Sequence, residues 1–110
     1  DNKIEKVNKT KDVYGVLDKI GFKGEVERCK ERKIRAGKGT MRGRQYRVKK
    51  GPLVVVSSKC ELVKSLSNVR GFDVCVVKDL NTSLLTLGHA GVRKTLWSED
   101  AVKKVGGLFK

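Results

Sequence analysis

Val13, Val16, Leu17 and Ile20 keep the i, i+3, i+4, i+7 spacing that lines up apolar side chains on one face of a helix. The spacing predicts a helix over roughly residues 11 to 20, with Thr10 placed to cap its start and Gly21 standing where it ends. From Gly24 to Lys33 the chain is charged, and a short further helical turn is expected there. The helical period then gives way to an unbroken apolar run, Leu53-Val54-Val55-Val56, which follows Gly51-Pro52 and leads into Ser57. Such a run fits a strand covered on both faces in a parallel sheet. Leu62, Val63 and Leu66 return to helical spacing and stop near Asn68, and Asp73-Val74-Cys75-Val76-Val77 repeats the buried-strand pattern. Residues 53 to 77 therefore read as one strand-helix-strand unit, whose crossover is expected to be right-handed.

Past that unit, Asn81-Thr82-Ser83-Leu84-Leu85 predicts a capped helical turn, "LGHAGVRK" a glycine-broken loop, and Thr95-Leu96-Trp97 a third strand. Ser98 is expected to cap a last helix. Glu99 and Asp100 fall in its first turn, where the helix dipole favours negative charge, and Lys103 and Lys104 are expected near its far end. No internal repeat or low-complexity linker divides the 110 residues, so residues 1–110 are expected to form one α/β domain with a single modest core.

Charge adds what the apolar pattern leaves out. The chain carries 26 Lys and Arg against 12 Asp and Glu, a formal net charge of +14. Between Arg28 and Lys50 there are eleven Lys or Arg and one acid, Glu31, so these 23 residues hold +10 of it. A cationic segment this dense points to a polyanion, and nucleic acid is the commonest, because each phosphate neutralised releases condensed counterions. A membrane surface fits less well. No apolar run approaches the roughly 18 residues of a spanning helix, and the basic segment lacks the large apolar face of an interfacial one.

Other chemistries find little support. Gly37, Gly39 and Gly43 are spaced G-x-G-x-x-x-G, one residue too long for the dinucleotide fingerprint, and they precede their strand where that fingerprint must follow one. What they offer instead is a backbone able to take positive φ and to come close to another surface, with Lys38, Arg42, Arg44 and Arg47 projecting from an irregular loop. Arginine suits such a site because its guanidinium fork grips phosphate in bidentate fashion and stacks on bases, and Tyr46 adds a stacking face. His89 is the lone histidine, and Cys29, Cys60 and Cys75 are odd in number and far apart. No metal site or disulfide framework is expected from them. Ser57, Ser58 and Cys60 follow a strand, but "VVVSSKCE" is not a nucleophile elbow, and helix capping by serine is the plainer role. Asp73 and Asp79 have no companion for acid-base work, and Trp97 is expected to pack against the sheet. The opening "DNKIEKVNKTKD" has no initiator Met and no secretory signal, and is expected to be mid-protein or processed sequence.

"KIRAGKGTMRGRQYR" followed by "GPLVVV", together with "NVRGFDVCVVKDLN" and "GVRKTLWSEDAV", resembles the universal large-subunit ribosomal protein four family in its archaeal and eukaryotic form. The likeness covers nearly the whole chain. It implies a three-layer α/β domain with a mostly parallel sheet, partial here because the family's N-terminal half is absent, and with it the long loop that lines the exit tunnel. It also implies a cytoplasmic, non-enzymatic component of the large ribosomal subunit that binds large-subunit ribosomal RNA early in assembly and meets neighbouring ribosomal proteins, without cofactor, membrane or small-molecule substrate. Leu87-Gly88-His89 stands where the family has a Pro-Gly-Gly turn. The expected RNA contacts are Lys33, Arg35, Lys38, Arg42, Arg44, Arg47, Lys49 and Lys50, with Gly37, Gly39 and Gly43 shaping the backbone and Tyr46 stacking, in a loop that stays mobile until RNA orders it. Two other readings compete with this one: a small nucleotide-dependent α/β enzyme that uses the glycine run, and a basic protein-interaction module.

Overall fold

The computed structural model describes residues 2–86 and 91–108. In chain order the elements are α1 (Thr10–Ile20), α2 (Lys23–Lys30), β1 (Arg32–Ile34), β2 (Tyr46–Val48), β3 (Leu53–Val56), α3 (Glu61–Ser67), β4 (Asp73–Val76), α4 (Thr82–Leu85), β5 (Thr95–Trp97) and α5 (Glu99–Leu108). Short 3-10 helices cover Asn2–Lys6, Gly37–Gly39 and Val77–Asp79. β3 is the middle strand of a three-stranded parallel sheet, with Leu53 beside Asp73 of β4 and beside Thr95 of β5.

The apolar run of β3 is fully buried because both faces of the sheet are covered. Val54 and Val56 face Val13 and Leu17 of α1, Val26 of α2, and Leu62 and Leu66 of α3. Leu53 and Val55 face Cys75, Val77 and Ala101, with Leu84, Leu85, Trp97 and Val105 packed around them. The period-2 alternation of one strand thus serves two apolar clusters, giving the three-layer α/β arrangement that the family resemblance implies.

Local signals hold in most places. Gly21 ends α1 at φ 92°, and the Phe22 N–H reaches back to the Leu17 carbonyl at 2.9 Å. Asn81 Oδ1 caps α4 by accepting from the Leu84 N–H at 2.9 Å, and Ser98 Oγ accepts from the Ala101 N–H at the start of α5.

Four details differ. Thr10 is the first residue of α1 and not its cap, because the Lys9 carbonyl already accepts the Val13 N–H and no side chain caps the helix. α2 is a full two turns, drawn into the fold by Val26 and Cys29, which lie three apart and are both buried, and residues 32 and 33 belong to a strand. No serine caps α3. Cys60 occupies that position without a side-chain bond, and Ser57 is held by Glu5 instead. α5 runs on to Leu108, so Lys103 and Lys104 lie in its middle. The expected turn at Leu87-Gly88-His89 lies outside the described residues.

Candidate nucleic-acid interface

The cationic segment folds into a hairpin and not the irregular loop that its glycines and charge suggest. β1 and β2 pair antiparallel, with Arg32 opposite Val48, Lys33 opposite Arg47 and Ile34 opposite Tyr46. The Arg35 N–H donates to the Gln45 carbonyl at 2.8 Å and extends the ladder by one step. At the tip, Thr40 Oγ1 donates to the Arg35 carbonyl at 2.7 Å, and the Arg44 N–H reaches the Gly39 carbonyl at 3.0 Å. Gly37 and Gly43 take positive φ, at 82° and 72°, a region that side chains with a Cβ rarely adopt. Gly39 does not; a Cβ there would lie 3.4 Å from the Arg35 side chain, so what that position controls is the space beside Arg35.

Because side chains alternate along a strand, the pairing sorts residues onto two faces. One face carries Lys33 and Arg47, directly opposite each other, flanked by Arg35 and by the Glu31–Lys49 ion pair at 2.6 Å. The other carries Arg32, Ile34, Tyr46 and Val48, with the Arg32 guanidinium 4.3 Å from the centre of the Tyr46 ring. Between the hairpin and α4 lies an open groove of about 770 Å³, lined by Arg28, Glu31, Lys33, Arg35, Arg47, Lys49, Ser83 and Thr86 among others.

The base of the hairpin is fastened to the sheet by groups that carried no sequence signal. Arg93 is buried, with Nε 2.5 Å from the Gly51 carbonyl, one terminal nitrogen 3.1 Å from the Pro52 carbonyl and the other 2.8 Å from Asp73. Arg28 donates to the Lys50 carbonyl at 2.8 Å and to Glu25, which also receives Lys94 at 2.7 Å. These two bonds, first from Lys94 and then from Arg28, hold the Glu25 carboxyl below the usual carboxylate range. The Gly51 N–H donates to the Gly71 carbonyl at 2.7 Å. Nothing local marks Arg28 or Arg93 for this work, since the backbone carbonyls they reach stand 22 to 42 positions away and Asp73 stands 20 from Arg93; only the Glu25–Arg28 pair, three apart, is local.

Of the eight cations expected to meet RNA, Lys33, Arg35, Lys38, Arg42, Arg44 and Arg47 are exposed and form no ion pair with an acidic side chain among the described residues, though the Glu31 carboxyl is lowered first by Lys49 and further by Lys33. Lys49 is tied to Glu31, and Lys50 lies 3.7 Å from Asp73. Both ammonium groups are thus partly neutralised within the protein.

Residues 1–108 match the model of the Ribosomal protein L4/L1 family. The chain belongs to that family. It is 48% identical over 106 residues to the large ribosomal subunit protein uL4 of Archaeoglobus fulgidus, covering 96% of this chain and 42% of that protein. With the uL4 of Methanospirillum hungatei it shares 45% identity over 105 residues, 94% of this chain and 41% of that one. With the uL4 of Methanocaldococcus jannaschii the identity is 41% over 111 aligned positions, covering all of this chain and 44% of that one. The chain therefore spans about two fifths of the length of these curated relatives.

In this L4/L1 family member a carboxylate of the chain itself bridges the place where an α/β enzyme would hold its ligand. Ligands of open parallel sheets sit at the carboxyl ends of the strands where the strand order reverses, which here is the crevice between β3 and β5. Glu5 bridges it, accepting from the Ser57 N–H and hydroxyl at 3.1 Å each and from the Ser98 hydroxyl at 2.6 Å. Among the described residues no three His, Cys, Asp or Glu come together as metal ligands, and burial pushes the Cys29 and Cys75 thiols up, away from the reactive thiolate. No helix of the described residues is long and apolar enough to cross a membrane.

Proposed function

We propose that this chain is a structural, non-catalytic part of the large ribosomal subunit in the cytoplasm, and that it binds large-subunit ribosomal RNA through the β1–β2 hairpin and its tip, beside neighbouring ribosomal proteins. The observation that carries this reading is the set of six exposed cations that form no ion pair among the described residues, held on a hairpin whose base is pinned to the core by Arg28 and Arg93. Lys33 and Arg47 support it further. Like charges directly opposite on paired strands repel, and a phosphate between them turns that repulsion into attraction. Gly37 and Gly43 give the tip its turns, and Lys38, Arg42 and Arg44 provide its charge. The relatives' names, large ribosomal subunit protein uL4, agree with the class of particle.

The test is the affinity of the purified chain for large-subunit ribosomal RNA across a salt series. With about five phosphates neutralised, log K is expected to fall against log salt with a slope of about −4. An affinity that does not change from low to high salt would overturn the reading.

A further inference from the structure

The hairpin's second face is the less expected one. Ile34 keeps 66% of its surface exposed, and Tyr46 and Val48 keep 42% each, although the segment is the most charged in the chain. Cross-strand packing of Ile34 on Tyr46 accounts for part of what these residues do, since such pairs stabilise a hairpin. It leaves most of Ile34 in water, and the Arg32 guanidinium over the Tyr46 ring, a stabilising cation–π contact in itself, still leaves much of Tyr46 exposed. Both planar groups stack nucleobases, and apolar side chains beside them exclude water from the stack. Resting on the RNA-binding reading above, we infer that the Arg32-Ile34-Tyr46-Val48 face holds unpaired nucleobases while the Lys33-Arg47 face holds phosphates, so that the hairpin's ligand is RNA with splayed bases and not continuous duplex.

The occupant follows from the two faces together. A polyanion is required by the cations on one side and at the tip, and the apolar side needs a partner with flat, weakly polar surfaces. Unpaired RNA offers both in one molecule. An A-form duplex does not, because its bases are stacked inward, its deep groove is too narrow for side chains to read and its shallow groove presents hydroxyls and base edges but no base faces. A ribbon two strands wide, with opposite chemistry on its two sides, fits between the walls of an internal loop or junction, one wall being backbone and the other being bases.

The experiment compares two RNAs of equal length and charge, a continuous duplex and the same duplex interrupted by an internal loop of unpaired purines. The whole chain is expected to bind the looped RNA roughly tenfold more tightly, in line with a single stacked base. Tyr46→Thr, which keeps a strand-forming residue, should remove most of that preference and leave the salt slope unchanged. Tyr46→Phe should restore it. Lys33→Gln with Arg47→Gln should weaken both RNAs alike and reduce the slope by about 1.4 to 1.8, the range for two phosphates on a single strand or a duplex. Equal affinity of the unaltered chain for both RNAs would overturn the base-holding face while leaving the phosphate contacts standing. So would a Tyr46→Phe loss as large as that of Tyr46→Thr, or a Tyr46→Thr variant that keeps the full preference for the looped RNA. Loss of salt dependence in the unaltered chain would remove the RNA reading itself.

Discussion

Gly71 and Gly21 both take positive φ, at 79° and 92°, yet their surroundings set them apart. A Cβ at Gly21 would meet open space, so Gly21→Ala adds backbone strain alone, about 1 kcal/mol. At Gly71 the same atom would lie 2.7 Å from the Lys49 carbonyl oxygen and 2.8 Å from both Cβ and Sγ of buried Cys29. The backbone of the hairpin base would have to move, which also weakens the Gly51 to Gly71 hydrogen bond. Gly71→Ala is expected to destabilise by roughly 3 kcal/mol or more, overpacking added to strain. Thermal melts of the two variants test this, and equal shifts would mean that the contact at Gly71 relaxes freely. The two glycines also differ in how far they can be read. Gly21 is legible as a helix stop because its role is local, whereas the role of Gly71 depends on Cys29 and Lys49, which no short-range pattern brings near it.

At the scale of elements, legibility follows whether period or charge is the stronger signal. β3, α3, β4 and β5 fall where the sequence places them because unbroken apolar runs mark β3 and β4 and apolar residues three and four apart mark one face of α3. Yet β4, expected to be buried like β3, is an edge strand and only partly buried, as is β5. The hairpin is hidden by its own charge. Gln45-Tyr46-Arg47-Val48-Lys49 alternates polar and apolar with period two, a strand signal that a count of lysines and arginines conceals. The expectation of an irregular loop gives way to paired strands with a hydrogen-bonded tip, and the expected roles of the glycines divide accordingly. Gly37→Ala and Gly43→Ala place a Cβ at left-handed φ and are expected to lower RNA affinity by about 1 kcal/mol each, with the salt slope nearly unchanged, because charge is untouched. Gly39→Ala has no such strain and meets only the flexible Arg35 side chain, so its effect is expected to be smaller. RNA titrations of the three variants at two salt concentrations read this directly, and a Gly39→Ala loss equal to the others would place the sensitivity in Arg35 and not in backbone shape.

Across the whole molecule, a chain of net charge +14 is held together at two points by carboxylates, which makes its stability depend on acid. Glu5 joins the ends of β3 and β5, and Glu25 joins α2 to the start of β5 through Lys94. Burial by itself would raise the pKa of Glu5. The Ser98 hydroxyl, the Ser57 N–H and hydroxyl, and the nearby Lys104 charge outweigh it, and the carboxyl is held below its ordinary value. A group whose folded pKa is depressed contributes stability that is fully present above its unfolded value, near 4.3 for glutamate, and is lost as pH falls through the folded pKa. Melting temperature is therefore expected to stay level between about pH 7 and pH 5 and to drop below about pH 4.5. Protonation of other carboxylates adds to that drop by raising the net positive charge and its self-repulsion. Glu5→Gln separates the local effect from the general one, since glutamine has the shape of the protonated acid and cannot ionise. The variant should melt well below the unaltered chain at pH 7, and the gap should close as pH falls, until the two curves meet where Glu5 itself is protonated. A gap that stays constant from neutral to acid pH would mean that the amide disturbs packing and that the carboxylate charge is not what fastens β3 to β5.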